Sequence, residues 1–368
     1  MSDRLRVAVV GLGIGFQHLT AYRDLGDRFE IAAVCDTDAG KLGLAKLLFG
    51  IPFTTERFDE LVARDGIDVI DICTPPVAHV PMLRAALAAG RHAICEKPLA
   101  GSLADVDELA RCEAASKGRL MPIFQYRFGR GIARLRRLVA EGVAGRCHLA
   151  TVETAWTRGA DYYAVPWRGR FESELGGVCV SHAIHAHDLL YWLCGPPRSV
   201  FARLATRVNP IESEDCAVVA LELESGALAT LSATLGSARE ISRLRLCFEH
   251  LVAESSLAPY TPGAEPWTIT PASAEAQRRI DDCLAGFDPG AEGYPGQIAA
   301  FHAAITTGAA LPVTIADARA SLELATAIYH SSETGRPVEL PIGADHPKYA
   351  GWRPAEGAIR RSAPDSRR

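Results

Sequence analysis

The chain has 368 residues, 48% of them hydrophobic and 23% charged, with a net charge of −5. This length suggests two domains, the composition is that of an ordinary globular protein, and the charge offers no basic footprint for a nucleic acid. No apolar run approaches the ~18 residues of a membrane span, and the ten cysteines include no C-x-x-C pair, so Cys35, Cys73, Cys95, Cys179 and Cys247 read as small hydrophobes of a reducing cytoplasm.

In chain order, Leu5 to Val10 is a β-branched strand that ends at Gly11-Leu12-Gly13-Ile14-Gly15-Phe16, and a helix follows to about Leu25. Glycines at a strand-to-helix turn let backbone approach a pyrophosphate, which the helix N-terminus then stabilises. The third glycine of G-x-G-x-x-G is Phe16 here and the extra glycine is Gly15, so the close helix–strand contact has to be built differently. A second strand, Ile31 to Cys35, closes on Asp36, 25 residues after Gly11 and near the ~20 expected of a ribose-binding acid. A 2′-phosphate would meet that carboxylate, with Thr37-Asp38 adding another, so NAD is expected over NADP. The other reading of Asp36 is an N-cap for a helix from Ala39.

The alternation continues with Phe53, a helix from Glu56 to Ala63, the strand Val69 to Cys73 running into Thr74-Pro75-Pro76, and a helix from Val77 to Ala89. Next comes the apolar strand His92 to Cys95, which runs into Glu96-Lys97-Pro98, where proline ends the ladder. A helix from Leu103 to Ser116 and a strand from Leu120 to Phe124 complete the set. Strand and helix alternating in this way predict an α/β, doubly wound parallel sheet over 1–125, whose strand ends gather Gly11 to Gly15, Asp36, Thr74-Pro75, Glu96-Lys97 and Gln125.

From Tyr126 the rhythm changes. A helix from Ile132 to Ala140, a strand near Cys147 to Ala155, a Trp/Arg/Tyr-rich loop from Trp156 to Phe171 and a helix from near Gly177 precede four long strands. Those strands are Ser199–Thr206, Ala217–Leu223, Ala227–Leu235 and Ser242–Phe248, and Glu224-Ser225-Gly226 makes a hairpin turn. They predict an α+β domain over 126–345 with a large, mostly antiparallel sheet. Glu249 to Gly293 carries no clear periodic signal, the helices Gly296–Thr307 and Ile315–Ser332 follow, and the tail over 346–368 is expected to be disordered from about Ala355.

The densest constellation of chemical groups is Gly176 to Asp188. On one continuous helix His182, His185 and Asp188 share a face, Ser181 lies one turn before His185, and His187 points elsewhere. Imidazole beside carboxylate is a general acid/base pair; no H-E-x-x-H or cysteine motif supports a metal, and none is expected.

With these residues the chain resembles the glucose–fructose oxidoreductase / inositol dehydrogenase / rhizopine catabolism family of NAD(P)-dependent oxidoreductases, from Val7 to about Leu340. The motifs are the strand-end glycines, Cys35-Asp36, Thr74-Pro75-Pro76 with His79, Glu96-Lys97-Pro98, Gln125 to Phe128, Trp167-Arg168, the Gly176…His185…Asp188 segment, Glu212 to Asp215, and Ala327-Ile328-Tyr329 through Pro337 to Pro341. The resemblance implies a Rossmann domain and hydride transfer between nicotinamide and a secondary alcohol or ketone of a sugar, inositol or related polyol. Lys97 would lie near the nicotinamide, His185 would be the acid/base, and Asp188 or Glu96 would support its charge. The cofactor would be held by Gly11, Gly13, Ile14, Gly15, Phe16, Asp36, Thr37, Thr74, Pro75, His79, Glu96, Lys97 and Gln125. The polyol would meet Arg127, Tyr162, Tyr163, Trp167, Arg168, Ser181, His182 and His185. The open sheet of the second domain would join a homodimer or homotetramer. Many members carry aspartate where this chain has Ser181, which cannot stabilise an imidazolium. Two other readings are a redox-neutral, NAD-dependent glycoside hydrolase and a non-catalytic NAD(P)-binding regulator.

Overall fold

The computed structural model describes residues 4–355, 357 and 359–361. They form two compact units, one running to Phe124 and including Tyr294–Arg319, the other comprising Gln125–Gly293 and the residues from Ala320 onward. The first unit is built on β1 (Leu5–Val10), α1 (Gly15–Asp24), β2 (Phe29–Cys35), α2 (Ala39–Phe49), β3 (Phe53–Thr55), α3 (Phe58–Ala63), β4 (Val69–Ile72), α4 (His79–Ala88), β5 (His92–Cys95), α5 (Leu103–Ala114) and β6 (Leu120–Pro122). Its six strands are parallel, in the order β3-β2-β1-β4-β5-β6. That is the dinucleotide-binding order, with its switch point between β1 and β4.

Helix boundaries follow local chemistry. Asp38 caps α2 by accepting from the Gly40 and Lys41 N–H groups, and Gly50 ends it at φ +66°. Since Asp38 is the cap, Asp36 is not. Ser102 caps α5 through the Asp105 N–H. Proline shapes the segment after β4, where Pro76–Ala78 is a 3-10 turn and α4 starts only at His79, not at Val77.

The second unit contains α6 (Arg130–Ala140), β7 (Cys147–Thr157), α7 (Ala160–Tyr163), α8 (Val178–Ser181), α9 (Ile184–Cys194), β8 (Pro197–Thr206), β9 (Cys216–Leu223), β10 (Leu228–Thr234), β11 (Gly236–Phe248), β12 (Leu251–Glu254), β13 (Thr268–Pro271) and α10 (Ala274–Leu284). Among the described residues its sheet has nine strands. Eight run in the order β13-β12-β11-β7-β10-β9-β8-β14, where β14 is Val338–Glu339, and β15 (Arg360–Arg361) also pairs with β8. The pairing is antiparallel except for β7 with β10 and β8 with β15. Residues alternate strictly along β9 and β10, so one face is buried while Val218, Leu228, Leu149 and Phe201 lie exposed on the other.

Two expectations about domain and helix boundaries need correction, and one segment that the sequence left open is filled in. The contiguous second domain over 126–345 does not hold, because α11 (Gly293–Thr307) and the start of α12 (Ile315–Thr334) cluster with the first unit from Tyr294 to Arg319. There Phe301 packs edge-on to His92, His302 meets Phe29, and the buried Gln297 amide bonds the Phe124 N–H and the Pro122 carbonyl. Such long-range packing leaves no local signal. The segment Glu249 to Gly293 is partly ordered as β12, β13 and α10, with Ser273 capping α10. The second correction concerns the helix expected through Asp188, which is broken into α8 and α9 at His182-Ala183. The Ala183 N–H reaches back five residues to the Val178 carbonyl at 2.8 Å, the wide turn of a π-bulge. His182 (φ −122°, ψ −60°) is therefore off the helical path and does not share one continuous face with His185 and Asp188. Of the tail over 346–368, residues 346–355, 357 and 359–361 are described, and the pairing of Arg360–Arg361 with β8 departs from the disorder expected after Ala355, while 356, 358 and 362–368 lie outside the described residues.

Candidate functional site

In the first unit, the strand ends bring the predicted groups to one edge. Gly11 has φ +88°, and a Cβ there would sit 2.7 Å from the Cys73 carbonyl oxygen, so β4 approaches too closely for any side chain. Gly15 makes the helix–strand contact that Phe16 cannot, since a Cβ there would lie 3.2 Å from Val9 Cγ1. Around Gly13 nothing lies within 4 Å of where a Cβ would be, which leaves open space over the loop. Ile14 precedes α1 as its N-cap, and Phe16 turns toward Phe49, 6.4 Å between ring centroids. The Asp36 carboxylate accepts from the Leu12 N–H at 2.5 Å and the Asp38 N–H at 2.9 Å, which ties the end of β2 to the glycine loop beside exposed Thr37. A glycine cradle, an open space and a strand-end carboxylate suit the pyrophosphate and ribose of a dinucleotide.

At the ends of β4 and β5, His79 is completely buried, with Nδ1 2.8 Å from the Pro98 carbonyl oxygen and Nε2 2.9 Å from that of Thr74. Burial pushes its pKa down, against the two carbonyls. His79 therefore ties the Thr74-Pro75 and Lys97-Pro98 segments together, a positioning role in place of the ligand contact expected of it. Lys97 is half-buried, and its N–H donates to Glu96 Oε2 at 3.1 Å. Beneath it lies a cluster that the sequence reading missed. His18 on α1 places Nδ1 2.8 Å from Asp71 Oδ2 and Nε2 3.2 Å from Glu96 Oε1, while the Tyr22 hydroxyl donates to Asp71 and the Tyr294 hydroxyl to Glu96, each at 2.8 Å. One sign was available, because a carboxylate within the apolar strand Val69-Ile70-Asp71-Ile72 must find a partner.

In the second unit, the 3-10 turn Gln125–Arg127 carries two of the predicted residues, Gln125 and Arg127. Arg127 and Asp188 form a buried two-pronged pair, Nε to Oδ2 at 2.8 Å and Nη2 to Oδ1 at 2.6 Å, and Ser321 Oγ lies 3.4 Å from the same carboxylate. This corrects two assignments. The Asp188 oxygens are engaged by guanidinium, so the carboxylate is a poor support for an imidazolium, and Arg127 is anchored in the interior where it was expected to meet substrate. His185 is buried and stacks on Tyr126, 4.5 Å between centroids.

The Ser181 hydroxyl donates to the Gly177 carbonyl at 2.7 Å, so its 2.7 Å contact with His182 Nδ1 is best made by an N–H on that nitrogen. That tautomer leaves Nε2 as the basic site. Trp156 stands edge-on to the His182 ring at 5.6 Å, and Tyr162 lies at 5.5 Å. Tyr162 also meets Tyr163, lies under the Arg168 guanidinium at 3.9 Å and under Arg158 at 5.2 Å, and its hydroxyl contacts Arg168 Nη1. Arg168 also covers Trp167 at 4.3 Å and pairs with Glu174. Burial raises the Tyr162 pKa to about 12, so the hydroxyl stays protonated. Trp156 and Arg158 belong to the stretch marked as Trp/Arg/Tyr-rich, but nothing in the sequence marked Tyr260, which a segment about a hundred residues away brings to them. His187 has a pKa lowered by burial to about 4 and is a neutral interior side chain.

The α8 segment is held by Glu214, whose carboxylate accepts from the Gly177 N–H at 3.2 Å, the Cys179 N–H at 3.0 Å and the Tyr329 hydroxyl at 2.7 Å. A Cβ on Gly177 would fall 1.8 Å from the Glu214 carbonyl oxygen. No helix among the described residues is long and apolar enough to cross a membrane.

Comparison with known proteins agrees with this geometry. Residues 5–124 match the model of the oxidoreductase family with an NAD-binding Rossmann fold, and residues 132–251 match the GFO/IDH/MocA C-terminal domain. The WlbA dehydrogenase of Bordetella pertussis, crystallised with NADH and UDP-GlcNAcA, is 28% identical with a TM-score of 0.82, covering 92% of this chain and 100% of that one. D-apiose dehydrogenase of Paraburkholderia graminis is 27% identical over 97% of this chain and 95% of its own length. An uncharacterized oxidoreductase of Synechocystis is 27% identical over 60% of this chain, a match that spans 63% of that protein. With its parallel sheet, glycine cradle and strand-end aspartate, the chain belongs to the GFO/IDH/MocA family of oxidoreductases and carries their NAD-binding Rossmann domain.

Proposed function

We propose that the protein oxidises a secondary alcohol of a sugar, cyclitol or related polyol, or runs the reverse reduction, with NAD in preference to NADP. The observation that carries this reading is the gathering of Gly11, Asp36, Thr74 and Glu96-Lys97 at one edge of a sheet ordered β3-β2-β1-β4-β5-β6. D-apiose dehydrogenase, named for a sugar, supports the substrate class. NAD, when bound, supplies the carbon that takes up the hydride. Asp36 accepts from the ribose hydroxyls and disfavours a 2′-phosphate. Lys97 stabilises negative charge on the substrate oxygen, and His185 removes the hydroxyl proton. Tyr162, Tyr163, Trp167 and Arg168 offer aromatic faces and a cation to the polyol, and Gln125 lies at the start of the same unit.

The geometry of His182 favours a second assignment of the base. Ser181 orients this ring, and Trp156 and Tyr162 flank it, so His182 Nε2 could take the proton in place of His185. With Ser181 where the family often has aspartate, an imidazolium has little charge support from that position. We assign assembly to the exposed face of the second unit's sheet, where Val218 and Leu228 would meet a second copy in a homodimer or homotetramer. A reducing cytoplasm is the expected compartment, since the ten cysteines are free thiols.

The test is a panel of sugars, inositols and sugar acids incubated with enzyme and NAD while NADH absorbance is followed. Stoichiometric NADH formation with one of them is the expected result. Turnover without NADH accumulation would instead indicate redox-neutral glycoside hydrolysis, and NAD binding with no turnover across the panel would indicate a regulator. His185→Ala and His182→Ala then separate the two bases, since only loss of the true base abolishes the pH-dependent step.

A further inference from the structure

His18 is fully enclosed on the first turns of α1, and each of its ring nitrogens faces a carboxylate, Nδ1 toward Asp71 at 2.8 Å and Nε2 toward Glu96 at 3.2 Å. A neutral imidazole has one N–H, so one nitrogen would direct its lone pair at an anionic carboxylate oxygen; two anionic acceptors, unlike the neutral carbonyls around His79, call for two donors. The oxygens are themselves committed as acceptors. Asp71 Oδ2 also receives the Tyr22 hydroxyl, Glu96 Oε1 the Tyr294 hydroxyl and Glu96 Oε2 the Lys97 N–H. The Tyr294 ring lies 4.4 Å from the imidazole and closes the cluster from α11.

We infer that His18 is a permanent buried imidazolium that positions Glu96, and through the Glu96 carboxylate the backbone of Lys97. This inference rests on the role proposed above for Lys97. The groups facing His18 are Tyr22 from α1, Asp71 and Cys73 from β4 and its end, Glu96 with Cys95 behind it from β5, and Tyr294 from α11. Burial raises the pKa of Tyr22, Cys73 and Cys95, so these three stay neutral. Two carboxylates thus share one histidine cation, and Lys97 follows as the next positive charge. Burial works against the charge on His18, yet the attraction of Asp71 outweighs it and the pKa stands well above 6.5. The ligand atoms of His18, Asp71 and Cys73 also lie within 4.8 Å of one another, close enough to hold a metal. The Cys73 thiol, however, keeps its proton and faces Asp71 Oδ1 at 3.5 Å, which suits a hydrogen-bonded cluster better than a metal centre.

The experiment is nitrogen NMR of the full-length protein labelled at histidine, with the His18 signal assigned by its loss in His18→Gln. Should that variant not fold, the shift of the same signal in Tyr294→Phe, which removes only a hydroxyl, supplies the assignment. The expected spectrum shows both His18 nitrogens protonated at neutral pH, beside a neutral His187. A neutral single tautomer at His18 at pH 7, or a stoichiometric metal ion by elemental analysis, overturns the inference. For the positioning role, Tyr294→Phe and His18→Gln are assayed on whichever polyol turns over. His18→Gln should lower kcat tenfold or more with KM for NAD changed less than twofold, and Tyr294→Phe should lower kcat to a smaller extent. An unchanged kcat in His18→Gln overturns the positioning role. A panel in which no polyol is oxidised removes the parent reading while the NMR result still decides the charge.

Discussion

Replacing Glu214 with glutamine should flatten the pH dependence of stability across the neutral range. Burial raises the Glu214 pKa from 4.5 to about 7, although the Gly177 and Cys179 N–H groups and the Tyr329 hydroxyl all favour the anion. Because the folded carboxyl holds its proton more tightly than the unfolded one, its favourable contribution is complete below pH ~4.5 and is lost as the pH rises through about 7. The displacement corresponds to on the order of 3 kcal/mol between the two limits. Glutamine keeps a carbonyl acceptor but sets an NH2 group among donors, at a pH-independent cost of about 1–3 kcal/mol. The variant should therefore be the less stable protein at about pH 5 and draw level with, or pass, wild type by about pH 8. Urea denaturation of both proteins at unit pH steps reads this directly, and the difference between them removes every other titrating group. A difference constant to within ~0.5 kcal/mol over that range, about the error of such extrapolations, would show that Glu214 does not titrate near neutrality.

Truncating Asp188 to alanine should destabilise the protein by about 3–5 kcal/mol by leaving the Arg127 guanidinium buried and unpaired, whereas Arg127→Met with Asp188→Leu should recover much of that loss; a double variant no more stable than the single one would refute the account. Gly13→Ala should leave the melting temperature within a few degrees, because nothing lies within 4 Å of the new Cβ, yet weaken NAD binding tenfold or more. Gly11→Ala, by contrast, should lower stability itself, since its Cβ meets the Cys73 carbonyl oxygen at 2.7 Å; equal melting temperatures for the two variants would count against the cradle. NAD should bind at least tenfold tighter than NADP, or ~1.4 kcal/mol, through like-charge repulsion at Asp36, and Asp36→Ala with Thr37→Arg should reverse the order in calorimetric titration.

The order of strands and helices to Pro122, the glycine turn and the strand-end groups were legible in the sequence, because each rests on a local cause. Apolar runs too short for helices end in glycine, proline or a capping side chain, and a parallel sheet sends every such end to one edge. Other features were decided only by tertiary structure. The reach of α11 into the first unit depends on Gln297, Phe301 and His302 meeting strands nearly two hundred residues or more away in sequence. The break at His182 depends on how Gly177 and Glu214 seat α8, which no periodicity records. Asp188 looked like a partner for His185 because both lie on one helix, and folding gave it instead to Arg127, whose guanidinium matches both carboxylate oxygens. His18 and Asp71, 53 residues apart, carry no shared motif. A buried polar group must find its counterpart in space, and sequence distance says little about which one that is.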